Sequence, residues 1–359
     1  MFGLILLIGI FLEIYILNFP SHNIEKHISS PQSIIPTNRG IVFEDSGRPM
    51  YQGLQIGSSL SYNYDSPTFL FKEWEVLYLY NSKFSIYLSL QKQKYFNSLL
   101  LLVATNYQPP VIYYKTEIAD FKLSPLPIYG KTIVNSTSFN ITLGNFDPKY
   151  KDVFLTVPEL DLELNVEVFK KTTENVLNIN TLSKEGEKFE YAYQDGNKLV
   201  TGYAKYQGIK HEMSGSHGFV EWYRAEHNYK SFRISAIFFG NIENIQITVS
   251  LGGLQEEFLS ATSDSVYVGK KVIKLGAAHF SELIFNMPIN VTTENFNSTK
   301  VDGVFYPQVA LEQASNFYFG RSKHVLVPGS FSFEIKSWGI NGNFTFNGLI
   351  HIRASSLLI

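Results

Sequence analysis

Four ionisable side chains stand close together in the segment E-W-Y-R-A-E-H: Glu221, Arg224, Glu226 and His227. In an apolar surround a carboxyl and an imidazole can pass protons, because burial and pairing move both groups toward neutral pH. Read as a strand, the segment puts Glu221, Tyr223, Ala225 and His227 on one face and Trp222, Arg224 and Glu226 on the other. Glu221 and His227 are then the acid–base candidates. Trp222, Tyr223, Arg224, Tyr229 and Phe232, with Trp74 far upstream, are the candidates for holding a ligand. The same pattern also fits a satisfied structural network at the mouth of a barrel.

Other chemistries are poorly represented. The chain has no cysteine, which removes thiol nucleophiles, iron–sulfur clusters, cysteine zinc sites and disulfides. His211, His217 and His227 are loosely grouped but share no metal-ligand spacing, so no metal is expected. Ser214-Gly215-Ser216-His217-Gly218 lacks the glycine and the strand–turn–helix setting of a nucleophile elbow. No phosphate-cradling glycine motif occurs, and no cofactor is expected. A net charge of -2 without clustered lysine or arginine argues against a nucleic-acid partner.

The elements that must position these residues are strands. At 17% charged residues the chain falls below the ~25% of a usual globular protein, and its 29 Phe and 22 Tyr suit pleated, half-buried surfaces. Residues 84–90 alternate with period two, as do residues 161–169, where Leu162, Leu164, Val166 and Val168 interleave with Glu163, Asn165 and Glu167. Residues 99–104 are fully apolar and read as a central strand. Asp195-Gly196 reads as a hairpin turn between 188–193 and 199–206, and Gly269-Lys270 as another between 265–268 and 271–275. Residues 331–336 pair naturally with 344–352. No helical stripe longer than two turns is found beyond the N-terminal segment, so an all-β barrel or sandwich is expected.

Residues 1–19 are apolar except for Glu13 and Asn18, just long enough for a membrane helix. With no lysine or arginine before Lys26 and a poor cleavage site, a retained anchor is favoured over a cleaved signal. Residues 21–66 read as a linker or arm punctuated by proline and glycine. Five N-x-S/T triplets are about what chance supplies and say nothing of compartment. A secretory-pathway membrane is the expected location, with a mitochondrial membrane as the alternative.

The stretch from 218 to 280 resembles the family known as domain of unknown function 2804. The likeness lies in Glu221-Trp222-Tyr223-Arg224-Ala225, Tyr229-Lys230-Ser231-Phe232, Ser250-Leu251-Gly252 and the 264–270 hairpin, in that order. Lys72-Glu73-Trp74-Glu75 upstream and residues 316–320 and 329 downstream extend it. The sequence departs from the family at its tryptophan pair, where Phe232, Ile234 and Ser235 stand, and at Ser250 and Asp264-Ser265. The resemblance implies a lipocalin-like double β-barrel related to tocopherol cyclases and carotenoid hydratases, with units at 67–183 and 184–359. Barrels of that kind can enclose one small apolar ligand. The expectation is a membrane-tethered, non-enzymatic binder of a lipid or isoprenoid-like molecule. The alternatives are an accessory subunit docked on a membrane protein complex, or a cyclase- or hydratase-like enzyme with Glu221 as its acid.

Overall fold

The computed structural model describes residues 40–41, 53–56, 60–61, 71–93, 97–117, 121–124, 130–147, 150–169, 176–182, 189–226, 230–254, 262–317, 320–337 and 340–357. These form an all-β protein of two large antiparallel sheets, each curled into a half-barrel. In the first, the strands run in the order Val111–Glu117, Asn97–Thr105, Phe84–Gln93, Phe71–Tyr80, Ser216–Glu226, Phe189–Tyr206, Leu162–Phe169, Tyr150–Val157, Asn140–Asp147 and Thr132–Asn135. The second is built around Ile245–Leu254, Lys230–Ile242, Ile340–Leu357, Gly320–Ser337 and Lys300–Pro307 as neighbours. The short helix Pro158–Leu160 is the only helical element among the described residues. The expected N-terminal helix falls outside them. No described helix is long and apolar enough to cross a membrane.

Alternation explains three cores. Each sheet curls around its own apolar cluster: Leu77, Leu79, Ile86, Leu88, Leu164 and Val166 in the first, Ile234, Phe238, Val249, Phe331 and Ile350 in the second. A third cluster lies in the layer between the sheets, with Trp74, Val76, Tyr78, Leu100, Leu102, Phe219 and Tyr223 on one side and Ile237, Phe239, Leu326 and Leu349 on the other. Each fully buried side chain of this size contributes roughly 1.5–3 kcal/mol. Strands that serve two cores lose their polar face. That is why residues 99–104 read as one apolar run: Leu99, Leu101 and Val103 enter the first core while Leu100 and Leu102 enter the middle layer. The strand is nonetheless next to the edge, not central.

Asp195-Gly196 is not a hairpin turn. Phe189–Tyr206 is one continuous strand, and its pairing with Ser216–Glu226 shifts register between Asp195 and Lys198. Asn197 takes a left-handed conformation there, so the residues make a bulge. Gly196 is required because a Cβ would enter the Tyr267 ring. The bulge lets the front half of the strand pair with Val176–Leu182 and the rear half with Leu162–Phe169. It also keeps both halves in the first sheet. Ser216–Glu226 thus still belongs to the first sheet and Lys230–Ile242 to the second, while the expected 183–184 boundary lies outside the described residues. The other two expected hairpins form, Ser265–Val268 with Lys271–Lys274 and Gly320–Ser337 with Ile340–Leu357.

Candidate functional site

Strand Ser216–Glu226 lies between Phe71–Tyr80 and Phe189–Tyr206, and its two faces do different work. Trp222 and Arg224 point to the first sheet's own interior. The Arg224 Nε bonds Glu73 Oε1 at 2.7 Å, Nη2 donates to the Ser124 carbonyl at 2.7 Å, and Nη1 to the Tyr223 carbonyl at 2.8 Å. Trp222 Nε1 donates to the same Ser124 carbonyl at 3.0 Å, with the guanidinium carbon 3.8 Å from the indole centroid. Glu75 extends this network, accepting from Thr132 Oγ1 at 2.7 Å and facing Lys151 at 3.6 Å. It ties Ser124 to strands Phe71–Tyr80 and Ser216–Glu226.

The opposite face looks into the layer between the sheets. Glu221 Oε1 bonds Arg233 Nη2 at 2.7 Å and accepts from Gln194 Nε2 at 3.2 Å. Tyr223 stacks on Trp74 at 3.9 Å, and the Arg233 guanidinium lies 4.2 Å from the Tyr223 ring. Glu190 stands on the same face of its strand as Ala192 and Gln194, and its carboxyl is hydrogen-bonded to the Tyr223 phenol.

The second sheet supplies the other wall. Alternation aims Arg233, Ser235, Ile237 and Phe239 of one strand, and Leu349, His351 and Arg353 of the next, into the layer, which is thus polar at one end and apolar at the other. Tyr87 Oη meets His351 Nδ1 at 2.9 Å, and His351 Nε2 meets His324 Nδ1 at 3.0 Å, a hydrogen-bonded chain that crosses from one sheet to the other. Lys72 Nζ donates to Ser355 Oγ at 3.3 Å.

Burial dominates the electrostatics of this end. It pushes the Glu190 carboxyl up, with the Arg233 charge pulling against it. The Tyr223 phenol is driven well above its ordinary value by burial and then by Glu190. His351 is pushed down to about 3 by burial and the Arg353 and Arg233 charges, and His324 falls well below its ordinary value for the same kind of reason. Lys72 is lowered to about 7 by burial and by Arg353. Arg353 itself is lowered to about 10, by burial first. Burial also opposes the Arg233 charge, but Glu221, Tyr223 and Glu190 outweigh it and hold that group above its usual value.

Of the residues singled out in the sequence, Glu221, Tyr223 and Trp74 meet in this layer. Trp222 and Arg224 lie on the other side of the same strand, and Phe232 packs against the second sheet's own core. His227 and Tyr229 lie outside the described residues. His211 is bonded to Tyr107 at 2.7 Å, and His217 packs beside Tyr80 and Phe239, in separate places. Among the described residues no three metal-ligating side chains come together. Sequence reasoning did not find Glu190, Arg233, Arg353, His324, His351, Tyr87 or Lys72. The available signal was H-I-R at 351–353, two basic side chains sharing the face opposite Ile350 and Ile352.

A second pair of motif residues proves to be structural. The Gly252 amide donates to Asp264 Oδ1 at 2.8 Å, and Lys274 Nζ donates to the Asp264 carbonyl at 3.0 Å and to Thr262 Oγ1 at 3.1 Å. Leu251-Gly252 and Asp264 are thus joined by a staple that fixes the entry to the 265–274 hairpin.

Two curled antiparallel sheets with a buried layer between them define a lipocalin-like double half-barrel. The chain belongs to the family described as domain of unknown function (DUF2804), which it matches over residues 31–338. Among solved structures it is similar in fold to kievitone hydratase from Nectria haematococca, with a TM-score of 0.53 and 9% identity over 78% of this chain and 88% of that one. A provisionally named AttH protein from Nitrosomonas europaea aligns at a TM-score of 0.47 and 10% identity, covering 79% and 92% of the two chains. CghA aligns at 0.41 and 7% identity, covering 89% and 97%. No curated protein matches in sequence.

Proposed function

We infer that the chain is an enzyme that moves a proton on a small organic molecule held between the two sheets, as a hydratase or cyclase does. Glu190 is the proton donor and Tyr223 orients it. The observation that carries this reading is Glu190 itself, a buried carboxyl with a raised pKa whose Oε2 has no hydrogen-bond partner among the described residues. Burial moves its pKa upward, the direction a general acid needs. Glu221, the acid expected from the sequence, is taken up by Arg233 and Gln194. In a hydration, the Glu190 proton would pass to one carbon of a double bond, water would add to the other, and the proton lost by that water would return to the carboxylate.

The test is incubation of the full chain with a small-molecule extract in D2O, read by mass spectrometry. Wild-type protein should place carbon-bound deuterium in a specific metabolite, and Glu190→Gln should slow this by about 10²–10⁴-fold with folding intact. The second reading is a carrier of an apolar molecule, favoured by Tyr78, Phe219 and Phe239 at the apolar end of the layer. Recovery of an intact bound molecule, with no labelling by wild type, would replace the enzyme with the carrier.

A further inference from the structure

We propose that the polar end of the inter-sheet layer binds a small organic oxyanion, a carboxylate or phosphate ester on an apolar ring or chain, with the Arg353 and Arg233 guanidinium groups as its counter-charge. This rests on the layer being a ligand site, and specifies what the ligand carries.

The starting observation is register. Arg353 stands directly opposite Arg233 across the strand ladder, and like charges so placed repel. Both guanidinium carbons lie over the Trp74 ring, at 4.8 and 5.8 Å from its centroid. Lys72 adds a third basic group from the facing sheet, beside Ser355.

The acids do not balance them. Glu221 is bonded to Arg233, and burial favours the protonated form of Glu190. The phenols of Tyr87 and Tyr223 are pushed up and the imidazoles of His324 and His351 pushed down, which leaves all four neutral. Arg353 is nine-tenths buried, yet its guanidinium makes no hydrogen bond or ion pair among the described residues. Its Nε and the Arg233 Nη1 are both buried donors without acceptors among the described residues. A guanidinium does not escape such a site by losing its proton, so the charge calls for an anion. Its planar array of donors matches the oxygens of a carboxylate or phosphate. The rest of the ligand would run from the Trp74 and Tyr223 rings toward Ile237 and Leu349.

The experiment is a titration of the full-length protein with trans-cinnamate, phenyl phosphate and cinnamamide, followed by tryptophan fluorescence. At least one anion should bind about tenfold or more tighter than the neutral amide, and Arg353→Met should abolish that preference. Which anion binds tighter separates carboxylate from phosphate. Equal binding of amide and anions, no binding by any of the three, or a preference that survives Arg353→Met overturns the proposal. Thermal unfolding of the ligand-free variant gives an independent reading. Removing a buried unpaired charge should leave Tm unchanged or raise it, and a fall would mean the guanidinium has a structural partner after all. Because binding is read rather than turnover, a protein that holds the anion but labels no metabolite would sink only the role of Glu190.

Discussion

Arg224 and Arg233 sit in successive strands of the chain, Arg224 buried and Arg233 largely so, each beside aromatic rings and a glutamate, yet their surroundings differ in one respect. Around Arg224 the account closes: Glu73, the Ser124 carbonyl and the Tyr223 carbonyl take the guanidinium, and Trp222 covers its face. Around Arg233 it does not, since one nitrogen of that group and one of Arg353 lack acceptors among the described residues. Native interiors satisfy nearly all their buried polar groups, so two neighbouring cationic groups with unmet donors are a pointer to a ligand. Arg224 is on the first sheet and faces its interior, while Arg233 and Arg353 are on the second sheet and face the layer between the two.

The contrast breaks most directly at Arg224. Arg224→Met should cost about 3–5 kcal/mol in urea unfolding, because it removes the buried partner of Glu73 Oε1 and leaves the Ser124 carbonyl with Trp222 Nε1 as its remaining donor. A loss below about 1 kcal/mol would mean the two faces are alike. The next largest effect is expected from pH. His351 and His217 have folded values of about 3 and about 4, below the 6.5 of a free imidazole. The unfolded chain therefore takes up more protons across that interval. The stability they confer is present above pH 6.5 and is lost as pH falls toward 4 and then 3. Glu190, raised by burial, acts in the opposite sense, its share fading as pH rises through its folded value. Tm measured from pH 4 to 7 should climb, and His351→Asn should flatten the climb. The smallest effect sharpens the comparison at the inter-sheet face. Tyr223→Phe keeps the stack on Trp74 but removes the hydrogen bond to Glu190, and should cost about 1 kcal/mol with tryptophan fluorescence little changed.

The parts of this arrangement that depend on neighbours in sequence were legible before the structure. Strand alternation at 162–169 and the division of Glu221 and Tyr223 from Trp222 and Arg224 follow from period two alone. Trp74 was found through its place in the family motif. The missing half of the site is a matter of sequence distance: Arg353 reaches Trp74 only because the last strand pairs with Lys230–Ile242. No local pattern announces that pairing. Asp195-Gly196 misled for a related reason. The dipeptide favours reversal of the chain, but both halves of its strand hydrogen-bond to one neighbour, Ser216–Glu226, and the chain bends instead of turning back.

The strands that serve two cores raise a problem of alignment. In most half-buried strands, sliding by one residue exposes apolar groups to water, and this alone fixes the pairing. Phe71–Tyr80 has no such guide: Leu77 and Leu79 enter one apolar core while Val76 and Tyr78 enter another. A slipped strand would trade one greasy environment for the other at little cost in buried area. The Glu73 carboxylate, directly opposite Arg224 in the ladder, supplies the missing instruction. Its ion pair can close in a single alignment, so a contact of doubtful net energy acts as a key that only the native pairing turns.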